Sequence, residues 1–243
     1  MKDQGANEKI EDPKLKSLCR VGGWSALIVG TLLAVEMIVY IASSAPSLAD
    51  TAGWFKLFQS NRLLGILNFG ILETIALLLF VPIFLALYAA LRQASESTMS
   101  IAAILAFIAI AVNFATGKLF SLLTLSDLYA AATTDAQRAV FLAAGQAALA
   151  QSAQGGIGGA AEGGIPLAVA GLLISAVMLR SKIFGKATAY VGILANGIGL
   201  AMYMSAAART AFGGSAFFGP FFLLSVIWFF LIGQRLLHIG RAS

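Results

Sequence analysis

Residues 63–91 read LLGILNFGILETIALLLFVPIFLALYAAL, an apolar run of 29 residues with one formal charge, Glu73. As one helix this run would rise ~43 Å, enough to cross a ~30 Å hydrocarbon core with some tilt. Two residues interrupt it. Lipid rejects the Glu73 carboxylate, and Pro82 donates no helical hydrogen bond, which frees the Leu78 carbonyl and predicts a bend. Neither is tolerated in a membrane span without neighbouring helices. The rest of the chain is therefore expected to be the bundle that surrounds this run.

Further apolar runs supply that bundle. Spans are expected at about 24–42, 63–91, 99–125, 160–179, 187–207 and 217–237, an all-α polytopic bundle of six transmembrane helices over residues 21–243. Composition agrees, with 11% charged residues where a soluble domain carries about 25%. Residues 1–20 form a polar tail in which Pro13 argues against a helix continuous with span one. Ser47-Leu48-Ala49 resembles a signal-peptidase site, but the charged leader, the full apolar length and Glu36 predict a retained anchor. Between spans one and two, Trp54, Phe55, Leu57 and Phe58 beside Lys56 and Arg62 predict a short helix in the headgroup region. Residues 126–161 leave the apolar pattern. Thr134 as N-cap, Asp135 in the first turn, and Val140, Phe141, Ala144 and Ala148 on one face predict an external amphipathic helix of about 17 residues between spans three and four.

Charge sets orientation and excludes classes. The two tails and the loops on their side carry eleven Lys or Arg, against five on the opposite side, so both termini are expected in the cytoplasm. The formal net charge of +5 is thus spent on topology, and no nucleic-acid partner is expected. A single cysteine, Cys19, excludes an internal disulfide, and a single histidine, His238, argues against a histidine metal site or bis-histidine haem. No HExxH, GxSxG, cysteine pair or aspartate pair occurs, so no catalytic residue, metal or cofactor is assigned and an enzyme is not expected. Six glycines fall within 155–164, without the strand and the Gly-Lys-Ser/Thr ending of a phosphate loop, which favours close helix packing at the start of span four.

The polar residues inside the spans are the candidate site. Helical rise puts Glu36 ~9 Å, Glu73 ~15 Å and Lys118 ~10 Å below the outer surface, with Asn68 above Glu73, Asn113 in span three, and Glu162 bordering the layer. One reading is an outward-opening polar pocket for a small ligand or a partner helix, in which Lys118 holds one or both carboxylates. The other is a structural Glu–Lys clasp joining spans one to three. A carboxylate left without a partner could carry a proton or a cation, which makes a coupled small-solute transporter the alternative function; an intramembrane enzyme is a third. Asn68 and Glu73 differ by ~140° on an unbroken helix, as do Asn113 and Lys118, so not all can face one point.

Span five differs. Gly185, Ala189, Gly192, Asn196, Gly199 and Tyr203 recur at spacings of four and three, a seam of small residues for close helix packing with Asn196 free to hydrogen-bond across it.

Several short stretches carry a family likeness. These are Leu15-Lys16-Ser17-Leu18-Cys19-Arg20-Val21-Gly22-Gly23, the Arg62-to-Gly65 lead into span two, Leu87-Tyr88-Ala89-Ala90-Leu91-Arg92 at its exit, and Leu179-Arg180-Ser181-Lys182-Ile183-Phe184-Gly185 followed by Val191-Gly192-Ile193-Leu194. In these the chain resembles the bacterial membrane family called domain of unknown function 4386, over about residues 15–237. The resemblance implies six spans in a bacterial inner membrane, with the lipid bilayer as the certain partner, and it supplies no catalytic residues.

Overall fold

The computed structural model describes residues 13–43, 45–153, 160–207 and 215–241. Every regular element among them is a helix, and no strand occurs among the described residues. In chain order they are α1 (Pro13–Ala42), α2 (Thr51–Ser60), α3 (Arg62–Asn68), α4 (Ile71–Leu91), α5 (Glu96–Thr116), α6 (Leu119–Ala131), α7 (Asp135–Ala153), α8 (Ala160–Arg180), α9 (Lys186–Ala207) and α10 (Ser215–Arg241). Six stretches are long and apolar enough to cross a membrane: α1, α4, α5 running on into α6, and most of α8, α9 and α10.

The long helices close a ring in chain order. α1 packs on α4, α4 on α5, α5 on α8, α8 on α9, α9 on α10, and α10 returns to α1. α4 and α8 also touch across the ring. Their apolar windows are accordingly 50% buried, against 22% for those of α1 and α10, which show most of their surface outward. The ring interior holds Ile83, Leu87, Met99, Ile174, Met178 and Ile232 in one apolar core. Small residues let the backbones approach: Gly22 lies against Ala86 and the Pro82 carbonyl, and Gly23 against Leu237. Arg20 Nε donates to the Gly240 carbonyl at 2.8 Å, and Arg235 Nε donates to the Ile183 carbonyl. The start of α1, the α8–α9 turn and the end of α10 therefore share one end of the bundle.

Helix boundaries depart from the apolar runs at three places. Pro13 opens α1 instead of blocking it, because the first helical position needs no N–H donor, so the second part of the polar tail, from Pro13, is helical and continuous with span one. The run 63–91 is two helices, α3 and α4, divided at Gly70, whose φ of 93° is a left-handed conformation that side chains disfavour. Span three likewise divides at Gly117, where the chain turns to an extended ψ of 131°. α5 and α6 in line would reach ~54 Å, but α5 alone covers ~32 Å, about one hydrocarbon thickness.

α6 instead joins α2, α3 and α7 in a second unit at the end away from the termini. Its own core is Trp54, Phe55, Phe58, Phe69, Leu122 and Leu149, among others. The α2 aromatics therefore face protein: Trp54, Phe55 and Phe58 are all buried, where a helix resting in the headgroup region was expected. Ser126, fully buried, accepts from Gln59 Nε2 through its carbonyl and donates to the Phe55 carbonyl at 3.3 Å, tying α6 to α2. Arg62 and Asp127 form a two-pronged ion pair at 2.8 and 3.0 Å. That hydrogen bond, then the Asp127 charge, holds the Arg62 guanidinium further above its usual pKa. α7 starts as the sequence predicts. Thr134 Oγ1 accepts from the Gln137 N–H at 3.2 Å, and Gln137 Oε1 accepts from the Thr134 N–H at 3.3 Å, a capping box. Its inward face is rotated from the expected one, however. Gly145 and Leu149 are buried and Phe141 half-buried, while Val140 is 63% exposed and Ala144 exposed, because Gly145 must meet Phe55 and Thr51 of α2.

Candidate functional site

Antiparallel register brings one polar layer together at the far half of the ring. Gly23 against Leu237 and Gly30 against Phe230 set α1 on α10, and the same register runs on to Tyr40 against Phe218, rings 5.1 Å apart. Glu36 lies between these points on α1. Across the other pairs, Gly163 faces Asn113, Gly164 faces Tyr203 and Gly199 faces Phe221. Glu36, Glu73, Asn113 and Tyr203 thus lie at one level on four different helices.

The break at Gly70 gives Glu73 its place. It falls in the first turn of α4, where the free N–H groups of a helix start favour an anion. Its carboxylate acts electrostatically on both Glu36 and Tyr203, residues of α1 and α9. Glu36 is half-buried, and its Oε2 is a buried acceptor with no hydrogen-bond partner. A narrow cleft between α1, α3 and α10 opens beside it. Leu67, Asn68, Tyr40, Phe218 and Phe222 line it. Asn68 is held at both atoms: its Oδ1 accepts from Ser43 Oγ, and its Nδ2 donates to the Leu64 carbonyl at 2.9 Å.

The sequence-derived residues divide accordingly. Asn68 lines the cleft with Glu36, and Glu73, beyond the helix break, lies within electrostatic reach of it, so the ~140° phase difference of an unbroken helix does not apply. Asn113 stays in the layer, its Nδ2 donating to its own helix at Ala109. Lys118 does not reach the glutamates. It caps the start of α6 after the break at Gly117, and among the described residues no ion pair joins it to Glu36 or Glu73. The clasp is not formed, because the helix that was to carry Lys118 inward ends before it. Glu162 is exposed at the start of α8, and residues 154–159 of the glycine run lie outside the described residues. Tyr203 is the functional candidate that sequence reasoning placed elsewhere, as a packing residue; its spacing in the seam gave no sign that it would face a carboxylate.

The seam itself serves two neighbours. Gly192 meets Ser175 of α8 and Trp228 of α10, and Gly199 meets Phe221, so close packing is its role at those points. Asn196 faces Gly171 but donates to the Gly192 carbonyl of its own helix at 2.8 Å, not across the seam. Gly185 has open space around it and lies outside the packed part. No group of three or more metal-ligating side chains occurs among the described residues.

The fold and this layer define a class: an all-helical bundle with six helices able to cross a membrane and paired carboxylates near one end. Comparison with models of protein families, with curated proteins and with solved structures finds no match to this chain.

Proposed function

We propose that this is a non-enzymatic, multi-pass protein of the bacterial cytoplasmic membrane with both termini inside. Its outer-half polar pocket, centred on Glu36 and Glu73, binds a small ligand and exchanges protons. The unpartnered buried oxygen of Glu36, within electrostatic reach of a second carboxylate, carries this reading: a lone anion there costs ~2.5–3.5 kcal/mol on insertion scales, and among the described residues no ion pair offsets it. Orientation rests on charge. The described residues at the end shared by the termini include Lys14, Lys16, Arg20, Arg180, Lys182 and Lys186, with Glu96 their only acidic neighbour. The unit of α2, α3, α6 and α7 then lies outside, with α7 as the external amphipathic helix. The resemblance to domain of unknown function 4386 belongs to the same proposal and implies the same class.

A second reading, proton-coupled transport of a small solute, is favoured by the charge interaction between Glu36 and Glu73. Two carboxylates in one low-dielectric layer bind protons in a linked way. Tyr40 of α1 lines the same cleft as Glu36, and Glu73 of α4 lies within electrostatic reach of both Glu36 and Tyr203 of α9.

Difference infrared spectroscopy of purified protein tests the shared premise. A protonated-carboxyl band should rise and fall reversibly with pH, and lose part of its amplitude in Glu36→Gln and part in Glu73→Gln. A band unchanged in both variants would remove the site.

A further inference from the structure

We propose that the cleft beside Glu36 binds an amphiphilic organic cation, a protonated hydrophobic amine or its quaternary counterpart, that reaches it from the outer leaflet between α1 and α10. This deepens the preceding reading and rests on Glu36 as the charged group of the pocket.

Four observations select this ligand chemistry. The cleft has one anionic group, Glu36, one of whose carboxylate oxygens is buried and unpartnered. Its other polar lining groups are the Tyr40 hydroxyl and Asn68, whose oxygen and nitrogen each already take part in a hydrogen bond. No Lys or Arg lines the cleft. The remaining wall is apolar and aromatic, with Tyr40 and Phe218 rings 5.1 Å apart and Phe218 and Phe222 rings 4.6 Å apart.

An inorganic cation does not suit that wall. Calcium and magnesium take about six or more oxygen ligands, and the side chains of the cleft offer only the Glu36 carboxylate, the Asn68 amide oxygen and the Tyr40 hydroxyl. An organic ammonium needs one counter-charge for its head, aromatic faces for cation–π contact and apolar surface for its body. The access route follows from exposure. Tyr40, which lines the cleft, is 52% exposed, and its neighbours along α1, Ile38 and Ile41, are 64% and 70% exposed, so the α1 surface next to the cleft is apolar and faces outward. A ligand already dissolved in the leaflet passes such a surface without losing hydration twice. In the present conformation the cleft is about one water wide, so the Tyr40 and Phe218 rings must part to admit the ligand.

Equilibrium dialysis of radiolabelled tetraphenylphosphonium against purified protein in nonionic detergent tests this. Wild type should bind saturably, Glu36→Gln should bind at least about ten-fold more weakly, and Phe222→Leu about two- to five-fold more weakly. Excess sodium or calcium chloride, matched for ionic strength with choline-free buffer salts, should not compete. Glu36→Asp keeps the charge and should bind better than Glu36→Gln, which separates loss of charge from loss of fold. No saturable binding by wild type, or equal binding by Glu36→Gln and wild type, overturns the proposal. The infrared band keeps the two readings apart. A pH-responsive band without phosphonium binding leaves the proton site standing and refutes the organic cation. Glu36-dependent binding without such a band supports the organic cation and refutes proton exchange.

Discussion

Replacing Gly23 by alanine should loosen the α1–α10 contact, the most extensive helix pair in the bundle. A Cβ at residue 23 would lie 2.8 Å from Leu237 Cγ and 2.9 Å from the Leu237 backbone nitrogen. The side-chain atom could turn away, but the nitrogen belongs to a helix and can move only with α10. Restoring ordinary contact needs a separation of roughly 0.8 Å, which forfeits a quarter to a half of the dispersion energy of the atoms facing it. Overpacking of this kind costs ~1–3 kcal/mol. At about 2–4 °C per kcal/mol for a chain of this size, Tm should fall by roughly 2–12 °C. Gly197→Ala is the matched control, since nothing lies within 4 Å of its Cβ position in α9. There the gain in helix propensity, at most ~1 kcal/mol, should leave Tm unchanged or slightly higher. The assay is thermal unfolding in one detergent, followed by loss of monodisperse protein. A Gly23→Ala protein as stable as wild type, or a Gly197→Ala protein that loses as much as Gly23→Ala, would refute the packing described for α1 and α10.

Gln137→Ala removes one half of the capping box of α7 and should cost ~0.5–2 kcal/mol locally, seen as faster hydrogen exchange at residues 135–140 with little change in global Tm. Cys19, buried in the main core, should resist a maleimide in folded protein and react fully in denaturant; prompt labelling of the native state would contradict its position. In a Cys19→Ser background, Asp135→Cys should be labelled by an impermeant maleimide added to intact cells, and Lys182→Cys only after lysis; the reverse pattern would invert the proposed orientation.

Much of the architecture was legible because a bilayer leaves few options. Apolar runs of ~20 residues must be helical there, and six such runs give six candidate spans. The α7 cap was legible for a local reason, since Thr134 and Gln137 satisfy each other's backbone groups without any tertiary partner. What hydropathy could not reveal was where a helix stops inside an apolar run. Gly70 and Gly117 are no more polar than their neighbours, yet each ends a helix, and each break changes which face the following side chains present. Lys118 was misassigned for that reason, and Asn68 and Glu73 were thought incompatible for the same reason. The inward aromatics of α2 were hidden differently. Trp and Phe beside Lys fit an interfacial helix equally well, and only the positions of α6 and α7 decide that Phe55 is fully buried.

The two helix breaks and the polar layer are parts of one arrangement. Irregular backbone at membrane depth persists only where protein or a lined cavity satisfies it. Here the unit of α2, α3, α6 and α7 covers both breaks, and its core reaches the first of them through Phe69. That ring is buried edge-on against Trp54 at 5.0 Å and against Phe58 at 6.2 Å, and the next residue is Gly70. The conformation that starts α4, and so places Glu73 in its first turn, is therefore held from the cap side. Phe69→Ala should lower stability by ~3–5 kcal/mol as a large-to-small change, and its effect should not simply add to that of Glu73→Gln. A cycle of the two substitutions, read by thermal stability and by the carboxyl band, should give a coupling of ~0.5–3 kcal/mol and an altered band in Phe69→Ala alone. Additive effects with an unchanged band would mean that α4 keeps its start without the cap, and that the polar layer is built by the ring by itself.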